Sequence, residues 1–212
     1  MKPLSFLMLN WRDPENPLAG GAERVTLKHM AELARRGHNV VWFANDFDGA
    51  KPETEIDGIR IVRGGRPGTS IFHAFLFARK NGPFDLVIDQ HHGIPWYAPN
   101  WCPDKCVAYI HEVLGPIWDA FYPWPLNAIG RWQERLTLRQ YSEVPFWTAS
   151  DYTRELLTEQ GVETIVQIPY GVATRALEEL PEKELDEPLR LITVSRLAPN
   201  KQVDHAVAAV WC

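Results

Sequence analysis

Short apolar runs alternate with longer amphipathic stretches along most of this chain, and this alternation constrains the possible folds more than any other feature. Runs of about five residues rich in Val, Ile and Leu are typical of strands buried on both faces of a parallel sheet. The stretch 21–36 has apolar residues at helical spacing and is followed by Gly37, which is typical of a helix end. The repeated order of strand, loop and helix predicts an α/β fold, a Rossmann-like parallel sheet flanked by helices.

The same patterns predict where the elements lie. A second helix is predicted at 70–80, ended by Asn-Gly-Pro at 81–83, and another begins at Ser150 and ends at Gly161. Residues 52–58 are predicted to form a polar turn that leads into a strand. The predicted strands are 4–9, 39–43, 59–63, 86–88, 106–110, 146–148 and 165–168.

A change in composition predicts a domain boundary. Residues 174–188 contain five glutamates, one aspartate and two prolines, which is the composition of a linker. We therefore divide the chain into an N-terminal domain at 1–173, this linker, and the start of a second domain at 189–212. The last part is predicted to contain one strand at 189–194 and one helix from Lys201. Because one strand and one helix cannot bury a core, the second domain is expected to be truncated.

Charge and cysteine content exclude several classes of protein. A net charge of -5 and a pI of about 5.8 argue against nucleic acid as a partner, because nucleic-acid-binding domains usually carry a basic excess. Three cysteines are too few for a disulfide framework, which favours a reducing compartment, the cytoplasm. The apolar residues 1–10 are too short for a signal peptide or a membrane span. Any membrane contact is therefore expected to be peripheral, at the inner face.

The first candidate site is the pair Gly20-Gly21, which lies between the first strand and the first helix and precedes Ala22-Glu23. Open α/β sheets bind ligands at the carboxyl ends of their strands. Paired glycines let a backbone approach a ligand, and the free N–H groups at a helix start favour an anionic or hydroxyl-rich group. A tight turn without a ligand is the alternative. The G-x-G-x-x-G motif is missing, which argues against a nicotinamide-dependent enzyme.

Seven segments carry a more specific signal through their order and spacing. They are Asn10-Trp11-Arg12-Asp13-Pro14, Gly20-Gly21-Ala22-Glu23, Arg36-Gly37-His38-Asn39-Val40, His111, Ser150-Asp151-Tyr152-Thr153, Pro169-Tyr170-Gly171-Val172 and Ser195-Arg196-Leu197-Ala198-Pro199-Asn200-Lys201. In this order they resemble the retaining glycosyltransferases of family 4, which are of the GT-B type with two facing Rossmann-like domains. The resemblance covers nearly the whole chain.

The resemblance implies binding and catalytic roles in the first domain. Gly20 and Gly21 would lie near the donor phosphates and the acceptor, with Glu23 as a weaker candidate in the same loop. His111 would be the catalytic residue beside the transferred sugar, where it hydrogen-bonds a hydroxyl or stabilises developing charge. The alternative for His111 is a purely structural histidine.

The resemblance also implies a basic pair in the second domain. Arg196 and Lys201 would hold the donor diphosphate and offset the charge of the leaving group, so neither a metal nor another cofactor is expected. Solvated loop charges are the alternative. Gln202 departs from the family, which often has glycine beside this lysine.

The implied function is glycan biosynthesis by a hexosyl-type transferase. Sugar would pass, with retention, from a nucleoside diphosphate sugar to a hydroxyl of a glycan, a lipid-linked acceptor or a small molecule. The family carries two acidic residues, separated by seven positions, further into the second domain, and this chain has no such segment. We therefore expect the 212 residues alone to be inactive. The alternative is a stand-alone sugar-binding or half-enzyme module without catalysis.

Three further features have competing interpretations. Cys102 and Cys106 lie near His91 and His92 in the sequence. No second pair of cysteines accompanies their Cys-x3-Cys spacing, so a structural role is favoured over zinc binding. Residues 89–92 follow a strand and either line the ligand cleft or form a loop without ligand contact.

A segment rich in aromatic residues could contact a membrane interface, a lipid-linked acceptor or a sugar, with internal packing as the alternative. Its residues are Trp118, Phe121, Tyr122, Trp124 and Trp132.

Overall fold

The computed structural model describes residues 2–171, 179, 191–195 and 197–211 of the chain. Its strands are β1 (Ser5–Leu9), β2 (Asn39–Ala44), β3 (Glu53–Ile56), β4 (Ile59–Arg63), β5 (Leu86–His91), β6 (Cys106–Ile110), β7 (Phe146–Thr148) and β8 (Ile165–Gln167). They form one eight-stranded sheet in the order β3-β4-β2-β1-β5-β6-β7-β8. All neighbours are parallel except β3 and β4. The predicted α/β fold with a parallel sheet is therefore confirmed.

Helices connect most of the successive parallel strands, as the sequence pattern predicts. They are α1 (Gly21–Arg35), α2 (Ser70–Asn81), α3 (Ile117–Phe121), α4 (Leu126–Gln140), α5 (Asp151–Glu159) and α6 (Val203–Trp211). Ser150 caps α5, since its hydroxyl accepts the Thr153 N–H at 3.1 Å. The predicted bounds of α1, α2 and α5 agree with the structure to within two residues.

Strand β3 was not predicted from the sequence, which indicated only a polar turn at 52–58. The turn is confined to Asp57 and Gly58, which have φ angles of 51° and 77°. Glu53 to Ile56 then pair antiparallel with β4 at the edge of the sheet. An edge strand tolerates polar side chains because one of its sides faces solvent, so its sequence lacks the apolar run of a central strand.

Helices α3 and α4 were also missed. The face of α4 that is buried carries Glu134 and Thr137 as well as Leu138, whereas Trp132 and Leu136 are exposed. This arrangement reverses the usual pattern of an amphipathic helix, which is why hydrophobic periodicity did not reveal it. The strand predicted at 189–194 is not present in its described part, because residues 191–195 have no regular structure.

The sheet is buried on both faces because successive side chains of each strand point to opposite sides. On one face the core consists of residues such as Leu7, Leu9, Phe43, Val87 and Trp96. On the other face it consists of Met8, Trp42, Ile61 and Tyr109, packed with Met30 of α1. The central strands thus form a rigid base for the loops at their ends.

The chain forms two compact units. The first, Met1–Leu114 with Trp132–Tyr170, contains the whole sheet. The second, Gly115–Arg131 with Gly171–Cys212, contains α3 and α6. Most of the predicted linker at 174–188 lies outside the described residues. The domain boundaries drawn from the sequence, at 173 and 188, stay a prediction.

Candidate functional site

The loops that follow three adjacent parallel strands all leave the sheet at the carboxyl ends of these strands, the edge at which the candidate site lies. Strand β1 lies beside β5, which lies beside β6, and all three run in the same direction. Neighbouring strands are about 4.8 Å apart, so the ends of β1 and β6 are separated by about 10 Å. The loop with Gly20 and Gly21 follows β1, and His111 follows β6 directly. Both candidate groups therefore emerge from the same edge, with only β5 between them.

The loop between β1 and α1, residues 10–20, is closed on itself beside the two glycines. The Gly20 N–H donates to the carboxylate of Glu23 at 2.6 Å, so Glu23 caps the start of α1. A guanidinium nitrogen of Arg12 lies 4.0 Å from the same buried carboxylate. Glu23 thus holds the loop. Gly21 is exposed, and a Cβ built on it would meet no atom within 4 Å, so the space beside it is open.

A buried ion pair anchors this loop to the end of β4. Arg63 donates to both carboxylate oxygens of Asp13, at 2.7 and 2.8 Å, and to Glu15 at 2.7 Å. It also donates to the Lys51 carbonyl at 2.8 Å and stacks 5.1 Å from the ring centroid of Phe47. The side chains of Arg63 and Asp13 are fully buried. Arg63 therefore joins two loops, one of which carries the paired glycines.

His111 is held through both its backbone and its ring. The Thr153 hydroxyl donates to the His111 carbonyl at 3.2 Å, and the Tyr170 hydroxyl is hydrogen-bonded to Nδ1 of the imidazole. The ring centroid of Tyr109 lies 4.5 Å away. Burial is the main cause that lowers the pKa of His111 to about 4, so the imidazole is neutral near pH 7. Its Nε2 has no hydrogen-bond partner among the described residues.

Aromatic rings surround this histidine on the side of α1. Tyr109 and Trp147 are stacked with centroids 4.1 Å apart, and the His29 ring lies 4.8 Å from Trp147. Burial also lowers the pKa of His29. The nearby imidazoles of His92 and His29 further disfavour a positive charge on His111. The environment of His111 is therefore aromatic and close to neutral, which suits a sugar ring better than a free anion.

Residues 89–92 divide into core and surface. Asp89 is buried and accepts hydrogen bonds from the N–H groups of Trp96 and Ala98, both at 2.9 Å, and from the Tyr141 hydroxyl at 2.8 Å. His91 is also buried, and its pKa is lowered to about 4, chiefly by burial. Only His92 is exposed. Asp89 and His91 thus organise the core beneath the edge of the sheet.

The two cysteines in the first unit are largely shielded from solvent. Cys102 is half-buried and Cys106 is buried, and burial raises the pKa of both thiols. Within the described part of the chain, no group of three or more His, Cys, Asp or Glu residues is arranged to hold a metal ion.

The basic pair predicted for the second domain is only partly described. Arg196 lies outside the described residues, and Lys201 is exposed in a single 3-10 turn at Pro199–Lys201. Gln202 follows with a φ of 45°, a left-handed conformation that glycine adopts with less strain. This conformation gives a physical reason for glycine at this position in the family. The roles of Gly20, Gly21, Glu23, His111, Arg196 and Lys201 stay predictions.

The aromatic segment is largely exposed. Phe121 and Tyr122 are exposed to nearly half, Trp132 to 63% and Trp124 to 81%. Trp118 differs, because its ring packs against Gly130, where a Cβ would collide with it. Internal packing thus accounts for Trp118, whose ring also contacts that of Tyr122 with centroids 5.6 Å apart. No helix among the described residues is both long and apolar enough to cross a membrane.

The parallel sheet, its glycine-bearing loop after β1 and the histidine after β6 define a Rossmann-like domain of the GT-B type. Residues 19–176 match Glycosyltransferase Family 4, which is more than half of the chain. The chain therefore belongs to this family. The matched range contains Gly20, Gly21, Glu23 and His111 but neither Arg196 nor Lys201. No curated protein matches the sequence.

A solved structure agrees with the fold. The chain is similar to sucrose-phosphate synthase from Thermosynechococcus elongatus, with a TM-score of 0.61 and 14% sequence identity. The similarity covers 79% of this chain and 48% of that one, so the chain spans about half the length of this relative. At this identity the similarity concerns the fold alone.

The sequence analysis missed two groups around the candidate site. Asp13 and Tyr170 appeared there only as members of matching segments, and Arg63 and His29 did not appear as candidates. Asp13 and Arg63 are 50 residues apart, so only the pairing of β1, β2 and β4 brings them together. The sequence shows an arginine at the end of a predicted strand, which was the available signal. It does not show that this arginine is buried.

We predict that the ion pair of Asp13 and Arg63 contributes strongly to stability. Replacing Asp13 with asparagine leaves the buried guanidinium with the half-exposed Glu15 as its charged partner, so the free energy of unfolding should fall by about 3 kcal/mol. Asp48→Asn is the matched control, because Asp48 pairs with Arg66 but is 89% exposed; it should cost less than about 1 kcal/mol. Urea unfolding measures both. Equal losses in the two variants would contradict the anchoring role.

We also predict that acidification destabilises the fold through His91. The pKa of His91 is about 4 in the folded chain and about 6.5 in the unfolded chain, so the unfolded chain takes up the proton first as the pH falls through this range. Relative to His91→Gln, the wild type should lose roughly 1 kcal/mol of unfolding free energy between pH 7 and about pH 5.5. Urea titrations at both pH values measure this difference. A pH-independent difference would show that His91 titrates normally.

Proposed function

We propose that this chain is the acceptor-side part of a retaining glycosyltransferase that uses a nucleoside diphosphate sugar. The observation that carries the proposal is the shared edge of the sheet, where the loop of Gly20 and Gly21 and the neutral His111 emerge with one strand between them. Family membership supports sugar transfer in general. The acceptor is a hydroxyl group of a glycan, a lipid-linked molecule or a small molecule.

The proposed chemistry assigns binding and charge stabilisation to different groups. The backbone at Gly21 is open to the ligand and lies at the positive end of the α1 dipole, so it can bind the donor phosphates. His111 hydrogen-bonds an oxygen of the transferred sugar. Arg196 and Lys201 offset the negative charge that develops on the departing diphosphate, in place of a metal.

We further propose that these 212 residues bind ligand without appreciable turnover. The chain spans about half the length of the sucrose-phosphate synthase it resembles, and the family's paired acidic residues are not in its sequence. Donor contacts from a second domain would then be required for transfer. A second candidate is a sugar-binding module that never catalyses.

The test is a donor screen on the natural full-length protein. We expect release of nucleoside diphosphate from one donor and a product with the same anomeric configuration, read by NMR. Gly21→Ala should leave the Tm unchanged, because its Cβ meets no atom, yet lower kcat/KM through crowding of the phosphates. His111→Ala should lower kcat by about 100-fold. His38→Ala, at the amino ends of the strands, is the matched control and should retain activity.

The outcomes of this screen test separate parts of the proposal. Turnover by the isolated 212 residues would contradict the proposed need for a second domain. Binding of sugars without turnover by the full-length protein would favour the module. Equal activity of the His111→Ala and His38→Ala variants would remove His111 from the catalytic site.

We propose, in addition, a peripheral membrane contact through the exposed aromatic residues that precede α4. Trp124 is 81% exposed, and Phe121 and Tyr122 lie near it in sequence with exposed rings, as in proteins that insert aromatic residues at the lipid interface.

Flotation with anionic phospholipid vesicles tests the membrane contact. The chain should float with the vesicles, and Trp124→Ser should reduce the bound fraction several-fold because it removes the most exposed ring of this segment. Tyr152→Ser is the control, since Tyr152 on α5 is also exposed. Absence of the wild-type chain from the vesicle fraction would contradict the contact.

A further inference from the structure

Tyr170 makes a contact with His111 that the proposed function does not use. Its hydroxyl is hydrogen-bonded to Nδ1, and the two ring centroids are 5.7 Å apart. Tyr170 follows β8 and His111 follows β6, so two strands of the same sheet position the pair. Among the described residues, the Tyr170 hydroxyl has no other hydrogen-bond partner.

The partners of this hydrogen bond determine where the imidazole proton lies. A phenol has one proton to donate, and a neutral imidazole has one N–H donor and one acceptor nitrogen. If Nδ1 carried the proton, the Tyr170 hydroxyl would have to accept it and would leave its own proton without an acceptor among the described residues. If Tyr170 donates, Nδ1 is the acceptor and every proton of the pair except that on Nε2 is satisfied.

We propose that Tyr170 is a positioning residue that fixes His111 in the tautomer with its proton on Nε2. The geometry thus places the N–H donor at Nε2, an atom that is buried and has no hydrogen-bond partner among the described residues. His111 in this state cannot act as a general base through Nε2. It acts as a hydrogen-bond donor to an oxygen, and that part of the inference rests on the proposed function.

The charge states of both side chains agree with this arrangement. Burial, together with the neighbouring carboxylate of Glu112, raises the pKa of Tyr170, so the phenol keeps its proton. Burial lowers the pKa of His111 to about 4, so the imidazole is neutral when the phenol donates to it. A hydrogen bond donated to the neutral ring favours that neutral form further.

The substrate class follows from the donor at Nε2. A neutral N–H donor among aromatic rings recognises a hydroxyl or ring oxygen of a sugar. A phosphate group would instead favour a positively charged partner. The groups that bind phosphate should therefore lie elsewhere, in agreement with the proposed role of the Gly21 backbone.

The test is long-range 1H–15N NMR of the imidazole nitrogens in the 212-residue chain. In the wild type we expect Nδ1 of His111 to be unprotonated and Nε2 to be protonated near pH 7. Tyr170→Phe keeps the ring packing but removes the hydroxyl, so both nitrogens should shift toward values averaged over the two tautomers. The titration midpoint of His111 should move upward. Tyr152→Phe, an exposed tyrosine, is the matched control and should change neither signal.

The outcomes separate this inference from the proposed function. A proton on Nδ1 in the wild type, or unchanged nitrogens in Tyr170→Phe, would overturn the role of Tyr170 even if the full-length protein transfers sugar. Conversely, the tautomer is measured without substrate, so a failed donor screen would leave this measurement valid. If Tyr170→Phe does not fold, the wild-type spectrum alone decides between the two tautomers.

Discussion

The parallel pairing of β1, β5 and β6 is the constraint on which the rest of the structure depends. Backbone hydrogen bonds between these strands place their carboxyl ends at one edge, and every candidate group of the first unit follows one of the strands of this sheet. Because both faces of the sheet are buried, the strands cannot shift in register without exposing a core residue such as Leu7 or Met8. The edge is therefore a fixed surface on which the loops are arranged.

Two different kinds of polar contact hold the loops at this edge. The loop with the paired glycines is held by charges, since Arg63 contacts two carboxylates and a carbonyl in a buried position. His111 is held by neutral groups, the hydroxyls of Thr153 and Tyr170. The first arrangement gives rigidity near a site proposed for phosphates. The second keeps the imidazole uncharged, because burial without a carboxylate partner disfavours the protonated ring.

Most of the fold could be predicted because its signals are local. Apolar runs predicted the central strands, and capping residues such as Ser150 and Gly37 predicted helix ends close to those observed. The signals failed where tertiary contacts override local pattern. Strand β3 is polar because it lies at an edge, and α4 buries Glu134 while it exposes Trp132. The candidate residues Gly20, Gly21 and His111 came from motif order, whereas Tyr170 as a partner of His111 required the structure.

The sequence by itself determined the class of fold, the order of most of the elements and the family, because periodicity and motif spacing are properties of neighbouring residues. Only the tertiary structure decided which distant groups meet. Arg63 and Asp13 are 50 residues apart and Tyr170 and His111 are 59 apart, and their contacts depend on strand order and burial. Burial also sets the protonation of His111, since the removal of water raises the free energy of its charged form. The sequence does not encode that environment locally.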